Sequence, residues 1–204
     1  MRDVILAPGL WMPGVAMALL SARLARAGYQ THLFTYRGRS SFDANVARLA
    51  RHVRETLNGR PAHFVGHSLG GVLVFDMLNA HPQIEAASAV LLGAPVRGCL
   101  AGRRLATARV GRWMMGACGG LWVEHEARWE RAAPLGVVAG TLPLGLGRLV
   151  GRLPGVSDGV VRLEETDVDG MTARALVPLG HSMLIFSSAV EALVERFLKS
   201  GKFA

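Results

Sequence analysis

Residues 61–78 read Pro-Ala-His-Phe-Val-Gly-His-Ser-Leu-Gly-Gly-Val-Leu-Val-Phe-Asp-Met-Leu. A short run, His63-Phe64-Val65, reaches Gly66, and an apolar run with helical spacing (Val72, Phe75, Met77, Leu78) begins just past Gly70. Between them lies Gly66-His67-Ser68-Leu69-Gly70, the pattern G-x-S-x-G. Strand, tight turn and helix in that order are the setting of a nucleophile elbow, in which a serine sits on a strained turn. Glycines flank it because a Cβ there would meet the neighbouring strand or helix. The turn lifts the Ser68 hydroxyl clear of the sheet and aims the N-terminus of the new helix at whatever the hydroxyl attacks.

The rest of the chain supplies the context such a turn needs. At 204 residues it is expected to form one domain over residues 1–204, large enough for a core without metal or disulfide staples. Half the residues are hydrophobic, which excludes disorder. Residues 4–22 carry no charge ahead of Arg23, but Pro8-Gly9 and Pro13-Gly14 interrupt them and Asp3 precedes them. They read as strand, loop and helix, not as a membrane span or export signal, and the expected location is the cytoplasm. Cys99 and Cys118 are then expected to be free thiols. No His/Cys cluster has zinc spacing, and neither metal nor cofactor is expected. The net charge of +8 comes from arginines spread along the chain, the lysines being Lys199 and Lys202 alone. No nucleic-acid motif accompanies them, so a nucleic-acid partner is not expected.

In chain order, residues 3–7 form a buried-strand pattern and residues 15–26 a helix, with Gly28 at its end. Residues 29–35 read as a strand. Ser40 or Ser41 caps a helix whose stripe is Val46, Leu49, Val53 and Leu57. The elbow follows, then a fourth strand over residues 87–92, a fifth over 134–140 and a last one over 173–179. Residues 160–168 read as an extended or partly helical edge. Residues 183–198 form a closing amphipathic helix with Leu184, Ala189, Leu193 and Phe197 on one face. Alternating strands and helices predict an α/β fold: a mostly parallel sheet of about six strands with helices on both faces. Residues 96–133 break the rhythm. They hold Trp113, Trp122 and Trp129, both cysteines, Met114-Met115 and an arginine run from Arg97 to Arg112, and predict a helical lid inserted after the fourth strand.

A serine hydroxyl needs a base to become a nucleophile, and an imidazole held by a carboxylate is the expected base. On a parallel sheet the three groups meet when each follows a strand at the same edge. Ser68 follows the third strand, Asp158 lies in the loop after the fifth, and His181 follows the last. Competing bases are His67 in the elbow, His32 and His63 in strands, and His125 in the lid segment. Competing acids are Asp167, Asp169, Glu164 and Glu165.

The runs Gly66-His67-Ser68-Leu69-Gly70-Gly71, Ser157-Asp158-Gly159-Val160-Val161 and Gly180-His181-Ser182 make the chain resemble the α/β-hydrolases. The likeness is to the small bacterial lipase/esterase type, the triacylglycerol-lipase and GPI-inositol-deacylase-like group. It covers nearly the whole chain. It implies hydrolysis of a carboxylic ester through a serine acyl-enzyme, with Ser68, Asp158 and His181 as triad. The implied oxyanion donors are the backbone N–H groups of Leu69 and Leu10. Where the family usually carries His-Gly after the first strand, this chain has Pro8-Gly9-Leu10. The expected substrate is a small ester with an apolar acyl group. Acyl transfer, or cleavage of a thioester carrier held by the arginines, is the alternative. A non-catalytic binding protein on the same fold is the third reading. Peripheral contact with an anionic membrane is compatible with the first.

Overall fold

The computed structural model describes residues 2–10, 12, 14–36, 40–109, 113, 126–144 and 151–204. Six strands form one sheet: β1 (Arg2–Ala7), β2 (Tyr29–Leu33), β3 (Ala62–His67), β4 (Ala86–Leu92), β5 (Leu135–Gly140) and β6 (Ala173–Val177). All five pairings are parallel, in the order β2-β1-β3-β4-β5-β6. Helices α1 (Ala18–Arg26), α2 (Phe42–Leu57), α3 (Leu69–Ala80), α4 (Leu100–Thr107) and α5 (Ser188–Ser200) make the connections and the closing element.

Side chains alternate across each strand, so the sheet divides the core in two. Ile5, Phe64, Leu91 and Val137 face one layer with Leu49 and Val53 of α2 and Leu73 and Met77 of α3. Val4, Leu6, Val65, Val90 and Val138 face the other, with Leu20 and Leu24 of α1 and Val190, Val194 and Phe197 of α5. A two-faced apolar sheet is what the strand patterns anticipated. Each of these large side chains, fully buried, contributes about 1.5–3 kcal/mol. Among the described residues no helix is long and apolar enough to cross a membrane.

Helix signals decided several boundaries. The Ser41 hydroxyl accepts from Ala44 N at 3.3 Å and Asp43 lies in the first turn of α2, which ends at Asn58 in the left-handed region. The helix expected from residue 15 begins as a 3₁₀ turn, Gly14–Met17, because no side chain caps α1. The closing helix departs further from its expected face. His181–Ile185 is a separate 3₁₀ turn, and a new helix starts at Ser188 with the Ser187 hydroxyl accepting from Val190 N. The phase is lost at that break, so the buried face of α5 is Val190, Val194, Phe197 and Leu198, while Ala189 is exposed. Residues 160–168 hold a 3₁₀ turn, Leu163–Thr166. β2 and β6 are each two residues shorter than expected, ending at Leu33 and Val177.

Of the segment expected to form a lid, α4 is described, and Trp113 is exposed. Trp129 is buried against Phe75 of α3, ring centroids 5.8 Å apart, with Nε1 donating to Ala133 O at 2.7 Å. Trp122, Met114, Met115, Cys118, Arg112 and His125 lie outside the described residues.

Candidate active site

Ser68 links β3 to α3 with φ 52° and ψ −127°, a strained conformation for a residue with a side chain. Its surroundings over-determine it. Ser68 N continues the strand ladder to Leu92 O at 2.9 Å, while Ser68 O already accepts from Gly71 N at 2.9 Å and Val72 N at 3.3 Å. A Cβ on Gly66 would stand 2.4 Å from the Cα of Gly71, and one on Gly70 would stand 2.2 Å from Pro8 O. The turn therefore closes only with glycine at both flanks, and the Ser68 side chain remains partly exposed at the carboxyl edge of the sheet.

His181 and Asp158 reach the same edge. Asp158 lies after β5 and His181 after β6, and His181 N donates to Asp158 O at 2.9 Å. The imidazole spans the two other side chains: Nε2 lies 2.9 Å from Ser68 Oγ and Nδ1 2.7 Å from Asp158 Oδ2. A carboxylate only accepts, so the bond to Asp158 places the ring proton on Nδ1 and leaves Nε2 to accept from the Ser68 hydroxyl. The other carboxylate oxygen, Oδ1, accepts from Val160 N at 2.9 Å and Val161 N at 2.7 Å. Asp158 and His181 are buried. Glycines allow this crowding too. A Cβ on Gly140 would stand 2.7 Å from the Asp158 Cβ, and one on Gly93 would stand 3.1 Å from Asp158 Oδ2.

The competing histidines among the described residues have partners of their own. His67 Nε2 donates to His181 O at 3.1 Å, and its ring packs on the His181 ring with centroids 4.8 Å apart. Its Nδ1 has no hydrogen-bond partner among the described residues. Burial, reinforced by the neighbouring His181, pushes the His67 pKa down to about 3, so the ring is neutral. His63 Nδ1 lies 2.8 Å from Ser88 Oγ, and burial, with Arg2 nearby, lowers its pKa to about 4. His32 is held by Asp3 at 2.7 Å. The competing carboxylates also have partners. Asp167 pairs with Arg174, Asp169 with Arg97, and Glu164 and Glu165 with Arg162.

Leu69 is the first residue of α3, immediately after Ser68. Leu10 lies in the loop after β1, whose Gly9 Cα packs beside Ser68: a Cβ there would stand 3.1 Å from the Ser68 Cβ. That loop is tied down by Tyr36, whose hydroxyl donates to Pro8 O at 3.1 Å, and by a turn in which Met12 N donates to Gly9 O. Tyr36 and His67 are contributors that sequence reasoning passed over. His67 was in view only as a rival base, and no pattern flagged its bond to the His181 carbonyl.

Cys99 is a free, buried thiol whose pKa burial raises to about 12, with Glu165 adding to the effect. Among the described residues no three His, Cys, Asp or Glu side chains are grouped to hold a metal ion.

A parallel sheet with a strained serine after its third strand, an acid after the fifth and a histidine after the sixth is the architecture of an α/β-hydrolase. The model of the alpha/beta hydrolase family matches residues 4–194, and the chain belongs to that family. Solved structures of similar fold include the mature lipase BlEst2 of Bacillus licheniformis, with TM-score 0.75 and 17% identity over 98% of this chain and 92% of that one. Another is a monoacylglycerol lipase of Paleococcus ferrophilus, with TM-score 0.66 and 16% identity over 98% and 95%. A third is phospholipase PlaB of Legionella pneumophila, with TM-score 0.70 and 14% identity over 98% of this chain and 60% of that one. No curated protein sequence matches the chain. At these identities the likeness is one of fold.

Proposed function

We propose that the protein is a serine hydrolase that cleaves carboxylic esters through a Ser68–His181–Asp158 triad. The observation that carries this reading is the continuous hydrogen-bonded line from the Ser68 hydroxyl through the imidazole to the Asp158 carboxylate, 2.9 Å and 2.7 Å. Ser68 Oγ attacks the ester carbonyl carbon and gives its proton to His181 Nε2. The carbonyl oxygen becomes an oxyanion, which the N–H groups of Leu69 and Leu10 stabilise. The intermediate collapses, the bond to the alcohol oxygen breaks, and His181 returns the proton to the departing alcohol. Water then attacks the acyl-enzyme carbonyl with its proton passing to His181. The second collapse releases the acid and restores the Ser68 hydroxyl. Asp158 holds the imidazole in the required tautomer and stabilises the imidazolium formed in each half-reaction.

Residues 96–133, of which α4 is the described helix, are proposed as a cap that gives the site an apolar acyl pocket. The fold shared with lipases agrees with an apolar acyl group. A buried free thiol at Cys99 agrees with a cytoplasmic location. The test is hydrolysis of short- and medium-chain p-nitrophenyl esters. Turnover is expected in the wild type and at least 10³-fold less in His181→Ala. Equal rates in the two would end this reading.

A second reading, cleavage or transfer of an acyl group carried on a phosphorylated thioester, is favoured by one feature. A cavity of about 1000 Å³ adjoins the acid loop and is lined by Arg104 and Arg152 together with Ser157 and Gly159. Rates on acyl-CoA compared with oxygen esters of the same acyl chain separate the two. A thioester preference that falls with salt supports the carrier, and an ester preference indifferent to salt removes it.

A further inference from the structure

Glu165 is buried, and four donors of its neighbours converge on it. Its Oε1 accepts from Leu100 N at 2.6 Å and from Arg162 Nε at 3.0 Å, and its Oε2 accepts from Arg162 N at 2.8 Å. Its backbone oxygen accepts from Arg97 N at 3.1 Å. Leu100 is the first residue of α4, so one carboxylate joins the start of the proposed cap to Arg162.

Arg162 in turn closes the turn that carries the acid. Ser157 and Arg162 face each other as an isolated antiparallel bridge, and Leu163 N donates to Val156 O at 2.8 Å. Inside that closure Asp158 N donates to Val161 O at 3.1 Å, and Asp158 Oδ1 collects the amides of Val160 and Val161. The direction in which Oδ2 meets His181 Nδ1 is therefore set by a six-residue turn, 157–162, with Glu165 holding its far end. A buried carboxylate is tolerated only when its oxygens are filled, and here N–H groups from both elements fill them.

We propose that Glu165 is a positioning residue that locks the Asp158 turn to the first turn of α4, so that the seating of the cap base and the aim of the catalytic carboxylate are coupled. The proposal rests on the triad reading above. Glu165→Gln keeps the shape but replaces one acceptor oxygen with an NH₂ group. With the Gln oxygen at the Oε1 position the NH₂ faces Arg162 N and that bond is lost; with the oxygen at Oε2 the NH₂ faces Leu100 N and Arg162 Nε, and both of those are lost.

The test measures p-nitrophenyl butyrate kinetics per fluorophosphonate-labelled site, together with the far-downfield proton resonance of the His181 Nδ1–H···Asp158 bond. For Glu165→Gln, kcat is expected to fall about 10- to 100-fold with KM within about twofold, as small misplacements of a catalytic group do. The downfield resonance is expected to shift or broaden. Glu164→Gln, which removes only the exposed partner of the same guanidinium, should match the wild type in both readouts. If Glu165→Gln does not fold, Arg162→Lys keeps the backbone N–H on Glu165 Oε2 but removes the guanidinium that holds Glu165 and Glu164, and is expected to move both readouts in the same direction by less. Normal kcat, or reduced kcat with the resonance unmoved, overturns the positioning role. A wild type that takes no label fails earlier, at the triad, and takes the proposal with it.

Discussion

Replacing Asp158 by Asn separates the electrostatic role of the acid from its structural one. The carboxylate makes three contacts: Oδ1 accepts the amides of Val160 and Val161, and Oδ2 accepts His181 Nδ1–H. An Asn can leave its carbonyl oxygen on the two amides. Its NH₂ then faces Nδ1, where a donor cannot meet a donor, so the imidazole proton moves to Nε2. There it points at Ser68 Oγ, 2.9 Å away, and the ring can no longer take the serine's proton. Loss of the correct tautomer costs about 10³- to 10⁴-fold in kcat, which is about 4–5 kcal/mol of transition-state stabilisation. The stability loss should be smaller, about 1–3 kcal/mol, since one buried hydrogen bond is disturbed and the turn stays closed. Steady-state hydrolysis of p-nitrophenyl butyrate gives the first number and urea unfolding gives the second. An Asp158→Asn enzyme within tenfold of wild-type kcat would refute the reasoning. So would a variant as destabilised as Asp158→Ala, which abandons both amides as well.

Three further outcomes follow from contacts outside the proposed triad. Gly70→Ala would drive a Cβ to 2.2 Å from Pro8 O and 2.3 Å from Ala7 O, both backbone atoms. It is expected to cost about 1–3 kcal/mol in urea unfolding, and to lower kcat by displacing the Pro8–Leu10 loop. Arg131 donates to the carbonyls of Leu78, His81, Pro82 and Ile84 at and beyond the end of α3. Arg131→Ala should lower stability by about 2–4 kcal/mol with turnover per labelled site unchanged. His63 and His67 have folded pKa values depressed from 6.5 to about 4 and about 3, chiefly by burial. Below pH 6.5 the unfolded chain therefore binds protons that the native chain refuses. Stability is full above that pH and falls as pH drops from 6.5 toward 4, with a limiting slope of about 2.7 kcal/mol per unit for the two groups. Unfolding free energies measured by urea from pH 7.5 to 4.5 should show the decline, and a flat profile would contradict it.

What was legible in the sequence followed from local rules. The β3–Ser68–α3 turn was readable because a strand, two flanking glycines and a helix are contiguous, and each residue has one steric reason to be there. His181 and Asp158 were placed by topology, since a residue just past a parallel strand stands at the carboxyl edge, and Asp158 also by the resemblance of its Asp-Gly-Val-Val run to the family. The miss at the closing helix has an equally local cause. Leu184 and Phe197 were put on one helical face, but Ser187 caps a new helix and resets the phase, so Val190 and Val194 turn inward. Other features depended on contacts between residues distant in the chain. Glu165 entered as a rival acid, and only the fold brings Leu100, 65 positions away, to its carboxylate. His67 and the His181 carbonyl, 114 positions apart, are likewise joined by sheet closure. Trp129 was read with the lid because it lies in the stretch that breaks the strand–helix rhythm, and its partner Phe75 belongs to a helix far upstream.

The central claim is that Ser68 is the nucleophile activated by His181. Labelling of the purified protein with a serine-directed fluorophosphonate tests it most directly. Wild type is expected to take up about one label per chain at Ser68. Ser68→Ala should take up none, and His181→Ala should label slower by orders of magnitude. Equal labelling of wild type and Ser68→Ala, or none in the folded wild type, would contradict the account.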